Sequence, residues 1–234
     1  MKLQDKKVAV IGGGPGGLTL AKLLQLKGVN VTVYERDSNK EVRQQGATLD
    51  LHEESGLEAL RRANLMNEFK ASFRPEAGRL RVLDKQAIIK MDEHELPHKD
   101  QEDRPEIDRA PLRDILINAL HEGTIVWDSQ FVSMEEQDHG WLLHFKNGKS
   151  FYADLVVAAD GANSKIRPYL TDIKPIYSGI TIVEGNVYEA EENAPKLWEI
   201  TKGGKVFALG NGQSIILSAK GEGSLSFYTG CKVP

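Results

Sequence analysis

Three glycines, Gly12, Gly14 and Gly17, stand in the G-x-G-x-x-G spacing, with Pro15 and Gly16 between the last two. Glu35 follows 18 residues after Gly17, and Arg36 comes next. Each glycine has its own task. Gly12 admits a tight turn, Gly14 lets backbone approach a pyrophosphate with no side chain in the way, and Gly17 allows a helix to pack closely on a sheet. A carboxylate at the position of Glu35 can accept both ribose hydroxyls of an adenosine. An acid there, rather than a base, disfavours a 2′-phosphate. The pattern therefore points to the ADP moiety of FAD or NAD in this site, and away from NADP.

A glycine-rich turn alone is a weak signal; it gains meaning from the elements that position it. Residues 8–11 (VAVI) are an apolar run of the kind buried on both faces of a parallel sheet. Leu18, Leu20, Ala21, Leu23 and Leu24 recur at three- and four-residue steps up to Gly28, which predicts a helix with a glycine stop. Val29, Val31 and Val33 predict a second strand ending on Glu35. Strand, glycines, helix, strand and terminal acid occur in order, so free N–H groups and the positive end of the helix face the phosphates.

The chain has 234 residues, 40% hydrophobic and 27% charged, with a net charge of −4. This is globular composition, long enough for one large domain or two modest ones. The basic residues are scattered, which argues against a nucleic-acid partner. No apolar run approaches the roughly 20 residues of a membrane span, and the start MKLQDKK leads straight into the first strand. The single cysteine, Cys231, excludes an intrachain disulfide and suits a reducing compartment. We expect a cytoplasmic protein, a monomer with no membrane association.

Further along, residues 57–69 have helical spacing, and residues 79–91 predict two strands about Asp84-Lys85. Asp108 is placed to cap a helix over about 111–121. Residues 124–128, 130–137 and 141–153 predict strands, with a hairpin turn at Asn147-Gly148. Residues 154–161 (DLVVAADG) predict another buried strand, ending on Asp160 and Gly161. After Ile173 the pattern becomes short alternating strands, the KLWEI segment at 196–200 among them. Nucleotide-type elements that enclose an antiparallel insertion predict two interleaved lobes of an α/β chain.

His94 to His98 (HELPH) matches the H-E-x-x-H pattern of zinc proteases. That pattern needs a helix to put both histidines on one face. Pro97 disrupts such a helix and the flanks are charged, so we expect a solvated loop and no metal site.

The segments GGGPGGLTLAKLLQLKGVNVTVYERD, RQQGATLDLH, EIDRAPLRDIL and DLVVAADGANSKIR together resemble the single-component FAD-dependent aromatic hydroxylases, and among them the tetracycline-modifying flavin monooxygenases. The likeness covers about the first three-quarters of the chain. It implies a Rossmann-like FAD-binding domain (1–78 and 106–172) interleaved with a mainly antiparallel, partial substrate-binding β domain (79–105 and 173–234). It implies that Gly12, Gly14, Pro15, Gly16, Gly17, Glu35 and Arg36 hold the ADP half of FAD. Arg43 aligns with an arginine implicated in NADPH binding. Asp50, Arg109 and, more weakly, Arg113 align with FAD-contacting positions. Asp160 and Gly161 match the second fingerprint of the family, although the tetracycline branch has another residue in place of the aspartate.

The resemblance also implies the chemistry: NADPH as co-substrate, O2, and hydroxylation of an aromatic or polycyclic small molecule, a tetracycline among the candidates. The cofactor carries this chemistry, so no catalytic side chain or metal is expected. Glu184, Asn186, Phe207 and Phe227 are the substrate candidates. A third FAD motif of the family, a Gly-Asp pair, is not found, so a fragment or a truncation with weak FAD retention is expected. Two other readings stay open, an NAD-dependent dehydrogenase and a non-catalytic FAD/NAD-binding module.

Overall fold

The computed structural model describes residues 2–42, 47–96 and 105–233. The elements begin with β1 (Lys7–Ile11), α1 (Pro15–Gln25), β2 (Asn30–Tyr34), β3 (Leu49–Asp50), α2 (Glu58–Arg62) and α3 (Met66–Ser72). Then come β4 (Leu80–Leu83), β5 (Ile89–Asp92), β6 (Glu106–Ile107), α4 (Arg109–Asn118), β7 (Ile125–Val126) and β8 (Phe131–Gln137). β9 (Gly140–Phe145), β10 (Ser150–Ala153), β11 (Leu155–Ala158) and α5 (Arg167–Leu170) follow. The last are β12 (Ile180–Val187), α6 (Ala190–Asn193), α7 (Pro195–Thr201), β13 (Lys205–Gly210), β14 (Gln213–Ala219) and β15 (Leu225–Lys232).

These form two compact, interleaved units. The first comprises Met1–Gln44, Ala59–Glu68 and Leu112–Lys174. Its parallel sheet has the order β11-β1-β2-β7. The central strand β1 buries four of its five residues, as its unbroken apolar run requires. Helix α1 buries Gly17, Leu18 and Ala21. It ends in paired bonds, Gly28 N–H to Gln25 C=O and Val29 N–H to Leu24 C=O, with Gly28 at φ +70°, the left-handed stop that glycine supplies. An antiparallel sheet, β10-β9-β8, adds Phe131, Leu143 and Phe145 to the same core, where Tyr34 stacks on Phe145 at 4.8 Å.

The second unit comprises Gln45–Glu58, Phe69–Pro111 and Pro175–Pro234. Its six-stranded sheet runs β12-β15-β14-β13-β4-β5, antiparallel throughout except for β13 beside β4. Residues 47–58, 69–78 and 106–111, expected in the nucleotide domain, cluster here instead. Pairing far along the chain is the reason. β3 pairs with β6, the Ala47 amide donates to the Tyr228 hydroxyl, and Arg74 donates to the Ala219 carbonyl.

Two local expectations are corrected. Residues 196–200 lie in helix α7, not in a strand. Pro195 opens the helix, and Trp198 packs on Ala219 and Leu225. The span 57–69 is not one helix but α2 and α3, preceded by a π-turn over Glu53–Leu57. Asp108 directly precedes α4, and its carboxylate takes the Gly221 amide at 3.0 Å and faces Arg74 at 3.5 Å.

His94 is not on a solvated loop either. It sits in a 3-10 turn, Glu93–Glu95, with its side chain 9% exposed and Nδ1 2.8 Å from Asp92 Oδ1. The other oxygen of Asp92 receives Nε and Nη2 of buried Arg81 at 3.1 and 2.8 Å. Pro97 and His98 lie outside the described residues. Burial pushes the Asp92 carboxyl up, but Arg81 and His94 outweigh it and hold it at about 2. The Asp92 pKa is thus depressed in the folded state. Its stabilisation, about 2 kcal/mol, is present above the unfolded carboxylate range and is lost as pH falls from about 4 to 2. Urea unfolding of Asp92→Asn is expected to show less of this acid loss than the wild type; an identical pH slope would contradict the assignment.

Candidate functional site

β1 stops at Ile11, and its last amide-to-carbonyl link runs from Ala159 N–H to Ile11 C=O at 2.8 Å. Gly12 then takes φ +111°, and a Cβ built on it would lie 2.3 Å from the Ala159 carbonyl oxygen. On Gly17 a Cβ would lie 2.1 Å from the Gly12 carbonyl oxygen. These two glycines let the turn and α1 close on each other. Gly14 differs, since a Cβ there meets nothing within 4 Å. Gly14 is the residue before the first turn of α1 and Pro15 occupies that turn, with no side chain capping it. The amides of Gly16 and Gly17 therefore lack intrahelical partners.

At the end of β2 the Glu35 carboxylate is 4% exposed. Its Oε2 accepts from the Gly13 amide at 2.5 Å and its Oε1 from the Asp37 amide at 3.0 Å. These two backbone bonds fix the orientation of Glu35 at the end of β2. A cavity of about 430 Å³ opens beside it, within the range of small-molecule sites. Gly12, Gly14, Glu35, Arg36, Asp160 and Gly161 all line it. Pro15, Gly16 and Gly17 do not; they build the helix start behind the turn.

Asp160 anchors the far wall. Its Oδ2 accepts from the Lys165 amide at 2.7 Å, while its Oδ1 is buried and finds no hydrogen-bond partner among the described residues. Ser164 Oγ accepts from the Ile166 and Arg167 amides, and Arg167 Nη2 donates to the Ala162 carbonyl, so this loop is internally bonded. Arg36 and Lys165 bring two cations to the lining. Burial pushes the Tyr34 hydroxyl up from its ordinary pKa, which keeps it a neutral donor.

Sequence reasoning missed Gly13, Tyr34, Lys165 and the stretch Ser129, Gln130 and Phe131, which also line the cavity or hold Glu35. The last three follow β7, the parallel neighbour of β2. Ligands in such sheets lie outside the carboxyl ends of the strands, and that rule applied to residues 124–128 finds them.

Other expected residues are placed elsewhere. Arg113 does not line the cavity. It is 5% exposed, donates to the Lys40 carbonyl at 2.8 Å and to Asp37 Oδ2 at 3.3 Å, and lies over the Trp127 ring. Arg43 lies outside the described residues. Asp50 and Arg109 belong to the second unit, where Arg109 Nε donates to the Ala47 carbonyl at 2.8 Å and Asp50 is 3.6 Å from His52.

In the second unit's sheet, Phe207, Ile216, Tyr228 and Glu184 are aligned across four strands, and Lys205, Ser218, Ser226 and Asn186 form the next aligned row on the same face. Tyr228 donates to Glu184 at 3.0 Å and Ser226 to Asn186 at 2.8 Å. Glu184, Asn186 and Phe207 thus share one face. Phe227 is one residue out of step, on the opposite face, where its ring fills the space a Gly185 side chain would need. It packs against Leu83, Val206 and Leu217. Among the described residues no group of three or more His, Cys, Asp or Glu side chains could hold a metal, and no helix is long and apolar enough to cross a membrane.

A family profile described as "FAD binding domain" matches residues 5–219. Monooxygenase penA of Penicillium thymicola is 29% identical over 92% of this chain and 52% of its own length. The 3-amino-4-hydroxybenzoate 2-monooxygenase PtmB3 of Streptomyces platensis is 32% identical over 84% of this chain and 49% of its own. The chain thus spans about half the length of these curated relatives. Klebsiella pneumoniae HpxO complexed with FAD and uric acid superposes with a TM-score of 0.74 at 22% identity, covering 100% of this chain and 58% of that one. The tetracycline destructase Tet(51) gives 0.68 at 20% identity, over 97% and 57%. At these identities the two solved structures speak to the fold, a mixed α/β arrangement shared with flavin monooxygenases.

Alanine at positions 14 and 17 separates the two roles of glycine. Gly17→Ala is expected to cost about 1–3 kcal/mol, as overpacking against backbone does. Gly14→Ala should unfold in urea at the wild-type midpoint while binding nucleotide more weakly. Equal midpoints for both variants would contradict the close approach at Gly17.

Proposed function

Because the chain belongs to the FAD-binding domain family, we propose that it is the cofactor-holding part of a flavin-dependent monooxygenase that hydroxylates an aromatic or polycyclic small molecule. The observation that carries this reading is the 430 Å³ cavity on which the open glycine turn, buried Glu35 and the Asp160-Gly161 pair converge. The residues fit FAD. Glu35 places a buried carboxylate on the cavity where ribose hydroxyls would lie, the free amides at the start of α1 suit the pyrophosphate, and Arg36 and Lys165 offset its charge. The partnerless Oδ1 of Asp160 is an acceptor that a hydroxyl of the cofactor would satisfy.

When bound, FAD supplies electron transfer from a nicotinamide and the activation of dioxygen. This chain's residues hold and orient it; no side chain is assigned to bond making. NADPH as co-substrate, with Arg43 contributing to its binding, and FAD contacts by Asp50 and Arg109 rest on the family resemblance. Arg113, buried among its own partners, is withdrawn from the contact set, and so is Phe227 from the substrate set. Glu184, Asn186 and Phe207 remain the substrate candidates. PtmB3 is named for a hydroxylated aromatic acid and the HpxO complex holds uric acid, which supports a planar, electron-rich ring. A tetracycline is a narrower choice, supported by fold likeness alone. The single cysteine suits the cytoplasm, and a monomer is the simplest assembly.

Titration of the purified chain with FAD tests the reading, followed by visible absorption of the retained flavin. The wild type is expected to bind FAD in preference to NAD. Glu35→Ala should weaken FAD binding by about 10- to 100-fold, the worth of a hydrogen bond to a charged acceptor. Absence of flavin binding, or an unchanged affinity in Glu35→Ala, would overturn it.

A further inference from the structure

Arg113 is a buried cation outside the cavity, yet its contacts Asp37 and Trp127 lie within two residues of the lining residues Glu35, Arg36 and Ser129. Its Nη1 donates to the Lys40 carbonyl at 2.8 Å and its Nη2 to Asp37 Oδ2 at 3.3 Å. Its guanidinium carbon lies 5.5 Å from the centre of the Trp127 ring. Asp37 and Lys40 lie on the segment that leaves β2, and Trp127 on the segment that leaves β7. Arg113 therefore grips the two backbone segments that follow neighbouring parallel strands.

Those segments are also bonded to each other and to Glu35. The Asp128 amide donates to the Asp37 carbonyl at 2.8 Å, and the Ser129 amide to the Glu35 carbonyl at 2.7 Å. The Asp37 amide donates to Glu35 Oε1 at 3.0 Å. Asp37 is itself 9% exposed, so its carboxylate is held among buried groups with Arg113 opposite. A planar guanidinium can satisfy a carbonyl and a carboxylate at once while stacking on a ring; an ammonium cannot do all three.

We propose that Arg113 is the positioning residue for the ribose-recognising carboxylate. Through Asp37 and Trp127 it fixes the backbone on which Glu35 and Ser129 are set. This aims Glu35 at the adenosine ribose of the cofactor. The inference rests on the cofactor reading given above and adds to it a residue that touches no cofactor atom. It separates two contributions to binding: α1 and the glycine turn for the phosphates, and Arg113, Asp37 and Glu35 for the ribose.

The test is a ratio, which a loss of overall stability does not move. ADP and 2′-deoxy-ADP are titrated into the 234-residue chain by calorimetry. The wild type is expected to prefer ADP by about 10- to 100-fold, the worth of one hydrogen bond to a charged acceptor. Arg113→Lys keeps the charge without the planar fork, and Asp37→Asn removes the charge opposite it. Both are expected to bring the preference to within about 3-fold of unity while phosphate-driven ADP binding persists. Arg113→Ala should do the same if it folds; the two milder variants decide if it does not. A preference unchanged in folded Arg113→Lys and Asp37→Asn would overturn the positioning role and leave the cofactor reading standing. A wild type that binds both nucleotides equally, or neither, would overturn the ribose assignment of Glu35 and this proposal with it.

Discussion

The Gly12 carbonyl oxygen occupies the space that a side chain on residue 17 would need, and much of the first unit follows from that approach. It draws the start of α1 onto the turn leaving β1, so the uncapped amides of the helix open beside the ends of β1 and β11. The same turn carries the Gly13 amide to Glu35, which ties the end of β2 to the glycine loop. The turn is crowded at Gly12 and Gly17 but open at Gly14, so backbone rather than side chain faces the cavity there. In the proposed site the N–H groups themselves, with the helix dipole behind them, would be the recognition element.

Against that backbone cradle the first unit sets two buried or half-buried carboxylates, Glu35 and Asp160, which at first sight oppose an anionic ligand. Their hydrogen bonds resolve the conflict. Glu35 is held by two amides and Asp160 by one, so each carries part of its charge into backbone donors. In the proposed site such amide-held carboxylates would accept from hydroxyl groups, while Arg36 and Lys165 would answer the phosphates. A buried acceptor with no partner costs about 1–3 kcal/mol. The orphaned Oδ1 of Asp160 makes sense as a group whose partner arrives with the ligand.

The legible parts of the sequence were those in which cause and effect lie close together in the chain. The glycine spacing, the apolar run of β1, the stop at Gly28 and the hairpin at Asn147-Gly148 each depend on a few adjacent residues. The contribution of Ser129, Gln130 and Phe131 depends on β7 lying beside β2, a pairing between residues about ninety positions apart. The membership of residues 47–58 and 106–111 in the second unit likewise follows from β3 meeting β6. Helix α7 was misread because seven residues give too short a period to separate helix from strand, and Trp198 declares itself only through its contact with Leu225. Arg113 was read through resemblance as a cofactor contact; only its buried partners reveal an internal role.

The same contrast explains why a cofactor can be argued from this chain more closely than a substrate. Cofactor recognition here is written in backbone, and backbone that must pass within van der Waals range of itself demands glycine at fixed spacing, which any reader of the sequence can see. The proposed substrate candidates on the second unit's sheet are side chains whose face is decided by register. A strand shifted by one residue presents its other face, which is the difference between Tyr228, bonded to Glu184, and Phe227, packed over Gly185. The row of Phe207, Ile216, Tyr228 and Glu184 is drawn from four strands spread over about 45 residues, so no local pattern announces it. Such a face can be refashioned one side chain at a time without disturbing a glycine turn built from other segments of the chain.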